Sequence, residues 1–125
     1  MSTIYVVTPE ERVEGQPTSG MVREQAIETE GMWAGYVTTE AGMASGWHHH
    51  DGFESSIYVL SGALLMEFGP GGGGSVLAGP GDFVFVGKRF VHRESNPTDE
   101  PSRFVVVRAG SGEVVVNVDG PDEPA

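Results

Sequence analysis

Three consecutive histidines are the feature of this sequence best suited to chemistry. His48, His49 and His50 follow one another, and the fourth histidine of the chain, His92, lies in a second strand-like segment. Side chains on a β-strand alternate between its two faces, so His48 and His50 point one way and His49 points the other way. Two imidazoles would then face one interior point, as a metal site requires. A packed or solvent-exposed triplet without a metal would show the same run.

The rest of the sequence predicts the β-strands that must position these histidines. Short segments rich in Val, Ile, Phe and Tyr recur, each bounded by Gly, Pro, Asn or Asp, which is typical of strands joined by turns. No window keeps a helical period of 3.6 residues over three turns. Many short antiparallel strands in one small domain predict a sandwich or a closed barrel. The predicted strands cover residues 4–7, 33–39, 57–60, 63–68, 83–86, 104–107 and 114–118.

Length and charge limit the classes of function. The 125 residues are enough for one domain, which we expect to span residues 1–118, with residues 119–125 as an acidic, flexible tail. Eighteen acidic residues against seven basic ones give a net charge of -11, which disfavours nucleic acid and anionic membranes as partners. Residues 1–5 lack a basic segment leading into an apolar one, so we expect a cytoplasmic protein.

Residues 42–62 resemble the first motif of the cupin superfamily. They read Gly-Met-Ala-Ser-Gly-Trp-His-His-His-Asp-Gly-Phe-Glu and continue Ser-Ser-Ile-Tyr-Val-Leu-Ser-Gly. The cupin motif is Gly, five residues, His-x-His, three or four residues, Glu, six residues, Gly. The resemblance implies that His48, His50 and Glu54 are metal ligands.

Residues 81–96 resemble the second cupin motif, which is Gly, five residues, Pro-x-Gly, two residues, His, three residues, Asn. They place His92 as a further ligand and Asn96 in register, while Gly87 and Arg89 stand where the family has Pro and Gly. Both motifs in order imply a small single-domain cupin of the cupin 2 type. The implied fold is all-β, a single antiparallel jelly-roll β-barrel.

The first motif departs from the family at one point that concerns Glu54. Seven residues rather than six separate it from Gly62, so Ser55 takes the carboxylate position when the count runs backwards. A shift of one residue reverses the face of a strand unless a bulge absorbs it. Gly52 would permit such a bulge, and we therefore expect Glu54 as the fourth ligand, with water in its place as the alternative.

The implied ligand set predicts a reactive metal centre. Because the chain has no cysteine, nitrogen and oxygen atoms must hold the metal. Three imidazoles and at most one carboxylate leave a divalent cation with open positions for water or substrate, whereas structural zinc sites are more often closed by four protein ligands. These donors do not select among Fe, Mn, Ni, Co and Zn.

Other side chains are candidates for a substrate pocket or for its surroundings. Lys88, Arg89 and Arg93 lie around the second motif, where an exposed turn explains them better than anion binding does. Apolar and aromatic residues on the strands could line a pocket for a planar substrate, although simple barrel core is the commoner role of such residues. They are Trp33, Tyr36, Trp47, Met66, Phe68, Phe83 and Phe104.

The resemblance to small cupins implies two catalytic classes and one binding class. The first is a metal-dependent dioxygenase acting on a diketone, flavonol or catechol-like compound, with Glu54 doubling as the catalytic proton acceptor. The alternatives are a metal-assisted isomerase or polyketide-type cyclase that needs no oxygen, and a non-catalytic module for a small ligand. By analogy we expect a homodimer, with residues 4–7 as a strand that joins the partner's sheet.

Overall fold

The chain forms two antiparallel β-sheets that face each other, as the computed structural model shows for residues 3–15 and 18–121. The prediction of an all-β antiparallel jelly roll is confirmed. Two short 3-10 helices lie outside the sheets, Pro9–Glu11 before the first strand and Pro70–Gly72 between two later strands. No helix among these residues has the length and apolar character needed to cross a membrane.

The six-stranded sheet has the order β1-β2-β3-β10-β5-β8, and the five-stranded sheet has the order β11-β4-β9-β6-β7. Three of the nine neighbouring pairs join consecutive strands, and the other six join strands from distant parts of the sequence, so each sheet gathers residues that lie far apart in the chain. The strands are β1 (Val13–Glu14), β2 (Met21–Glu28), β3 (Met32–Thr39), β4 (His48–His49), β5 (Gly52–Ser61), β6 (Leu64–Phe68), β7 (Gly74–Ala78), β8 (Phe83–Val86), β9 (His92–Ser95), β10 (Ser102–Ser111) and β11 (Val116–Asn117).

The space between the sheets is filled by alternate residues of each strand. In β10, Ser102, Phe104, Val106 and Arg108 are buried, while the residues between them are exposed. This two-residue period is expected for a strand with one face on the core. The buried apolar residues form one cluster: Met21, Trp33, Val37, Met43, Ile57, Val59, Leu64, Met66, Ala78, Val86, Phe104 and Val106.

Several strand predictions need correction. Residues 4–7 form no strand, and Ile4 is 87 % exposed, because an apolar run with no neighbouring strand gains no hydrogen bonds. The predicted strand 114–118 shortens to Val116–Asn117. The polar strand β2 was not predicted from the sequence. One of its residues, Arg23, is buried. Of the predicted tail, residues 122–125 lie outside the described residues, and the predicted homodimer stays a prediction.

Candidate metal centre

Three buried histidines meet in the space between the sheets. His48 of β4 lies directly opposite His92 of β9, and His50 follows β4 on the same face as His48. One ring nitrogen of each histidine lies within 4.8 Å of those of the other two. The ring centroids are 4.4 Å apart for His48 and His92, and 5.2 Å apart for His50 and His92. The predicted convergence of His48, His50 and His92 is found.

Backbone carbonyl groups orient all three rings. Nδ1 of His48 donates to the oxygen of Gly46 at 2.9 Å, and Nδ1 of His92 donates to the oxygen of Phe90 at 2.9 Å. Nδ1 of His50 donates to the oxygen of Val114 at 2.5 Å. Because a carbonyl oxygen only accepts, the hydrogen of a neutral ring sits on Nδ1 and the lone pair on Nε2. This is the arrangement in which a ligating histidine is held by its other nitrogen.

Burial keeps two of these rings ready to bind a cation. Loss of solvent, reinforced by the charge of Arg108, lowers the pKa of His50 to about 2. Burial also lowers the pKa of His92, although the charge of Glu94 opposes the shift. These imidazoles therefore stay unprotonated at neutral pH, as metal binding requires.

Glu94 completes the charged interior of the site. Its side chain is buried, and its Oε1 lies 3.5 Å from Nε2 of His48 and 4.0 Å from a guanidinium nitrogen of Arg23. Burial would raise its pKa, but the neighbouring side chains of His48, His92 and Arg23 hold that pKa well below its usual value. Glu94 is therefore a carboxylate at neutral pH.

The contact between His48 and Glu94 fits a bound cation. Since Nδ1 of His48 donates to Gly46, a ring that carries a single hydrogen would present the lone pair of Nε2 to the lone pairs of Glu94 Oε1 at 3.5 Å. Two acceptors at this distance repel unless a proton or a cation lies between them. The donor set, three imidazoles with one carboxylate nearby, suits a divalent transition metal. The residues present therefore fit the metal that the sequence predicts.

Glu54 does not belong to this cluster, which corrects the sequence prediction. It is exposed on the outer face of β5, whereas Ser55 is 3 % exposed and faces the interior. The bulge that the motif spacing demands lies near Leu60, where the pairing with β10 shifts between Arg103 and Phe104, and not at Gly52. Because the strand alternates without interruption before Leu60, Ser55 takes the inward position.

We expect Glu54→Gln to leave metal content unchanged and to alter the free energy of unfolding by no more than about 0.5 kcal/mol, as for other surface substitutions. Inductively coupled plasma mass spectrometry of the purified variant measures the metal, and chemical denaturation measures stability. A loss of metal comparable to that in a histidine variant would contradict the outward position of this side chain.

Sequence reasoning also missed three buried charged residues. Arg23 is 2 % exposed, Arg108 is 3 % exposed, and Glu94 is 8 % exposed. A signal was present, because Glu94 lies two residues after His92 and so shares its face of the strand. Likewise Arg108 continues the inward series of Phe104 and Val106. Charged residues are rarely buried, so the alternation of a strand does not by itself predict that a charged side chain faces the interior.

An apolar cleft borders the histidine cluster through His92. Its volume is ≈ 400 Å³, within the range of small-molecule pockets. Phe68 and Phe90 contact each other in its wall, with ring centroids 5.6 Å apart and ring planes tilted by 55°. Polar groups are few in its lining, which consists of Met66, Phe68, Val76, Val84, Phe85, Val86, Gly87, Phe90 and His92.

The predicted pocket residues have different locations. Met66 and Phe68 line the cleft, and Phe104 lines a small interior void beside the histidines. Trp33 is a buried core residue. Tyr36 and Phe83 do not reach the site, which corrects the prediction for both: Tyr36 packs under Arg12 on the outside, and Phe83 is 73 % exposed.

The residues near the second motif have local structural roles. Arg89 has a φ of 53°, so it adopts the left-handed conformation that the family's glycine favours. Its backbone N–H donates to the oxygen of Asp51 at 2.9 Å. Arg93 faces away from the site and pairs with Glu67 at 3.1 Å. Asn96 is buried and donates to the carbonyl oxygens of Glu40 and Glu100.

The sequence matches the Cupin_2 family, the cupin domain, over residues 35–108. A comparison with curated proteins gave no match. Solved structures with a similar fold include the polyketide cyclase RemF from Streptomyces resistomycificus, with a TM-score of 0.76 and 20 % identity over 98 % of this chain and 90 % of that one. KdgF from Halomonas sp. has a TM-score of 0.71 and 18 % identity over 86 % of this chain and 96 % of that one.

A predicted oxalate decarboxylase from Thermotoga maritima is a third structure of this fold, with a TM-score of 0.71 and 17 % identity over 86 % of this chain and 100 % of that one. At these identities the likeness concerns the fold. Proteins named for different reactions thus share one architecture, and the chemistry of this chain has to be argued from its own site.

Proposed function

The chain belongs to the Cupin_2 family of cupin domains, and we propose that it is an enzyme that holds one divalent transition metal on His48, His50 and His92. Its substrate is a small, largely apolar molecule with neighbouring oxygen atoms that chelate the metal. The observation that carries this proposal is the meeting of three buried imidazoles at the wall of an apolar cleft, through His92. A purely structural metal would need no such cleft.

The residues of the chain divide the catalytic work among them. The three histidines hold the metal, which when bound would polarise a substrate oxygen and favour its deprotonated form. The cleft, through side chains such as Phe68 and Met66, excludes water and orients the apolar part of the substrate. Glu94 replaces Glu54 as the proposed proton acceptor, because its Oε1 lies 3.5 Å from Nε2 of His48 and so beside the histidine cluster.

The reaction we propose first is a dioxygenation of a diketone, flavonol or catechol-like compound. Three protein ligands leave positions for both a chelating substrate and oxygen. The second candidate is an isomerase or polyketide-type cyclase, which needs chelation and proton transfer only. The buried carboxylate of Glu94 favours this second candidate, and the similar fold of a polyketide cyclase agrees with it.

One experiment tests the metal and the reaction class together. Protein purified under anaerobic conditions should contain about one divalent metal per chain by elemental analysis. An oxygen electrode then follows a panel of chelating diketones, flavonols and catechols. Oxygen uptake with product formation supports the dioxygenase, and turnover without oxygen uptake supports the isomerase or cyclase. Folded protein that neither retains nor rebinds a divalent metal would refute the proposal.

A further inference from the structure

A small void lies beside the histidine cluster, on the side of the six-stranded sheet. Its volume is ≈ 20 Å³, enough for a single water-sized oxygen atom. The polar residues that border it are His50, His92 and the carboxylate Glu94 on the metal side, and Arg23, Ser55 and Arg108 on the opposite sheet. The void therefore joins the metal centre to polar side chains of β5 and β10.

Two of these side chains present hydrogen-bond donors that nothing in the described part of the chain accepts. Arg108 is 3 % exposed, and its Nε and one terminal nitrogen have no hydrogen-bond partner there. The hydroxyl of Ser55, also 3 % exposed, has none either. Buried donors without acceptors destabilise a fold, because they lose their hydrogen bonds to water and gain none in return. A fold that keeps them normally has a partner for them in its working state.

The guanidinium of Arg108 is held firmly in this position. On β10 it lies between Trp33 of β3 and Ser55 of β5, directly opposite each in the sheet register. Its central carbon sits 4.5 Å from the centre of the Trp33 ring. Gly35 leaves room for this indole, since a Cβ there would collide with it. The stacking fixes the plane of the donors.

The charges of the buried side chains also favour an anionic ligand in the void. Among the described residues, Glu94 is the one buried carboxylate, against two buried guanidinium groups of Arg23 and Arg108. A divalent metal on the histidines would add further positive charge. A ligand that brings negative charge into the void would offset this excess.

We propose that Arg108 and Ser55 form an oxyanion subsite that binds one negatively charged oxygen of a substrate chelated at the histidine centre. This inference rests on the proposed function and narrows its substrate class. The cleft and the void share Val86 and His92 in their linings, so they meet at the histidine cluster. The substrate is then an apolar molecule that ends in an acidic chelating group, a carboxylate or an enolate-type oxygen beside a second oxygen. Guanidinium forks recognise such groups well.

Calorimetric titration of zinc-loaded protein with salicylate and salicylamide tests the subsite. The two probes have the same size and the same phenolic oxygen, but only salicylate is a carboxylate. We expect wild-type protein to bind salicylate at least about tenfold more tightly, a difference of about 1.4 kcal/mol. Arg108→Met should remove the preference. Arg103→Met, on the exposed face of the same strand, should retain it.

Two other results are informative. If Arg108→Met weakens both probes equally, the subsite binds the phenolic oxygen, so the enolate-type substrate is indicated. If it weakens neither, the proposal is overturned. Ser55→Asp offers a second variant, because it places a carboxylate opposite Arg108 and should weaken salicylate binding in the same way without removing the arginine.

A titration of metal-free protein separates this inference from the proposed function. Formate should raise the melting temperature of metal-free wild-type protein and of Arg103→Met, but not that of Arg108→Met. Such binding would stand even if the chain held no metal. Formate that binds only in the presence of zinc, and equally well to Arg108→Met, would mean that the metal alone captures the anion, and the subsite would be refuted.

Discussion

Replacing His48 or His92 by alanine abolishes metal retention, whereas replacing His49 leaves about one metal ion per chain. This is the result we expect from the facing of the three side chains. His48 and His92 are each 2 % exposed and lie opposite each other, while His49 lies outside the cluster, where its Nδ1 accepts the backbone N–H of Asp51 at 2.9 Å. Alanine substitutions at the adjacent residues His48 and His49 should therefore have opposite effects on metal retention.

The expected loss is large. Removing a hydrogen-bond partner of a ligating histidine already lowers metal affinity about 10- to 100-fold, so removing the ligand itself should cost more than about 100-fold. Metal also stabilises the folded state that binds it, by about 2.7 kcal/mol at a hundred times its dissociation constant. Addition of zinc should thus raise the melting temperature of wild-type protein and of His49→Ala, but not that of the other two variants.

Elemental analysis and thermal melts with and without zinc measure both effects. Circular dichroism of each variant is the control for folding. Equal loss of metal from all three variants would contradict the facing of the histidines. Full retention in both His48→Ala and His92→Ala would show that the metal, where one binds, is held elsewhere in the chain.

The histidine cluster was predictable because it depends on local rules. Alternation along a strand puts His48 and His50 on one face, and the second motif supplies His92. The pairing of β4 with β9 then needs only that the two motifs enter the same sheet, which the resemblance implies. Residue type, spacing and family pattern all agree at these positions, and the structure confirms that they converge.

The position of the carboxylate was not predictable, because it depends on a contact between distant strands. One extra residue between Glu54 and Gly62 requires a bulge somewhere in β5, and the local sequence allows it at several places. The structure has it near Leu60, where β5 pairs with Arg103 and Phe104 of β10. That pairing decides which of Glu54 and Ser55 faces the interior.

The buried charges show a different limit of sequence reasoning. From the sequence, Arg23 and Arg108 are expected to be exposed to solvent, because isolated buried charges are rare. Their burial depends on contacts with other strands. Glu94 on the opposite sheet supplies the negative charge, and Trp33 stacks on Arg108. Alternation along β9 and β10 places Glu94 and Arg108 on inward faces, but only these contacts between distant strands make the burial of their charges possible.

That mutual dependence predicts that substitution of Glu94 strongly reduces stability. Glu94→Gln keeps the size of the side chain but removes the one buried carboxylate of the described residues. Arg23 and Arg108 would then remain buried without the negative charge that Glu94 supplies between the sheets. Breaking a buried ion pair by removing one partner costs roughly 3–5 kcal/mol. We expect a loss of that size in the free energy of unfolding of the metal-free protein.

The matched control is Glu67→Gln. Like Glu94, Glu67 pairs with an arginine, but its partner Arg93 lies on the neighbouring strand β9 and the pair is on the outer face of the sheet. Its oxygen lies 3.1 Å from Arg93, and both side chains are partly exposed to solvent. Such surface pairs contribute roughly 0.2–1 kcal/mol. The two substitutions therefore remove the same charge from one sheet, and only its burial differs.

Chemical denaturation of metal-free wild type and both variants measures the difference, and thermal melts should show a decrease on the order of 10 to 20 °C for Glu94→Gln alone. The double variant Glu94→Gln/Arg108→Met identifies the cause. If the cost comes from guanidinium charge left without a counter-charge, removing one guanidinium should restore part of the stability. Equal stability losses for Glu94→Gln and Glu67→Gln would contradict this account, because the interior would then tolerate two buried arginines without a carboxylate.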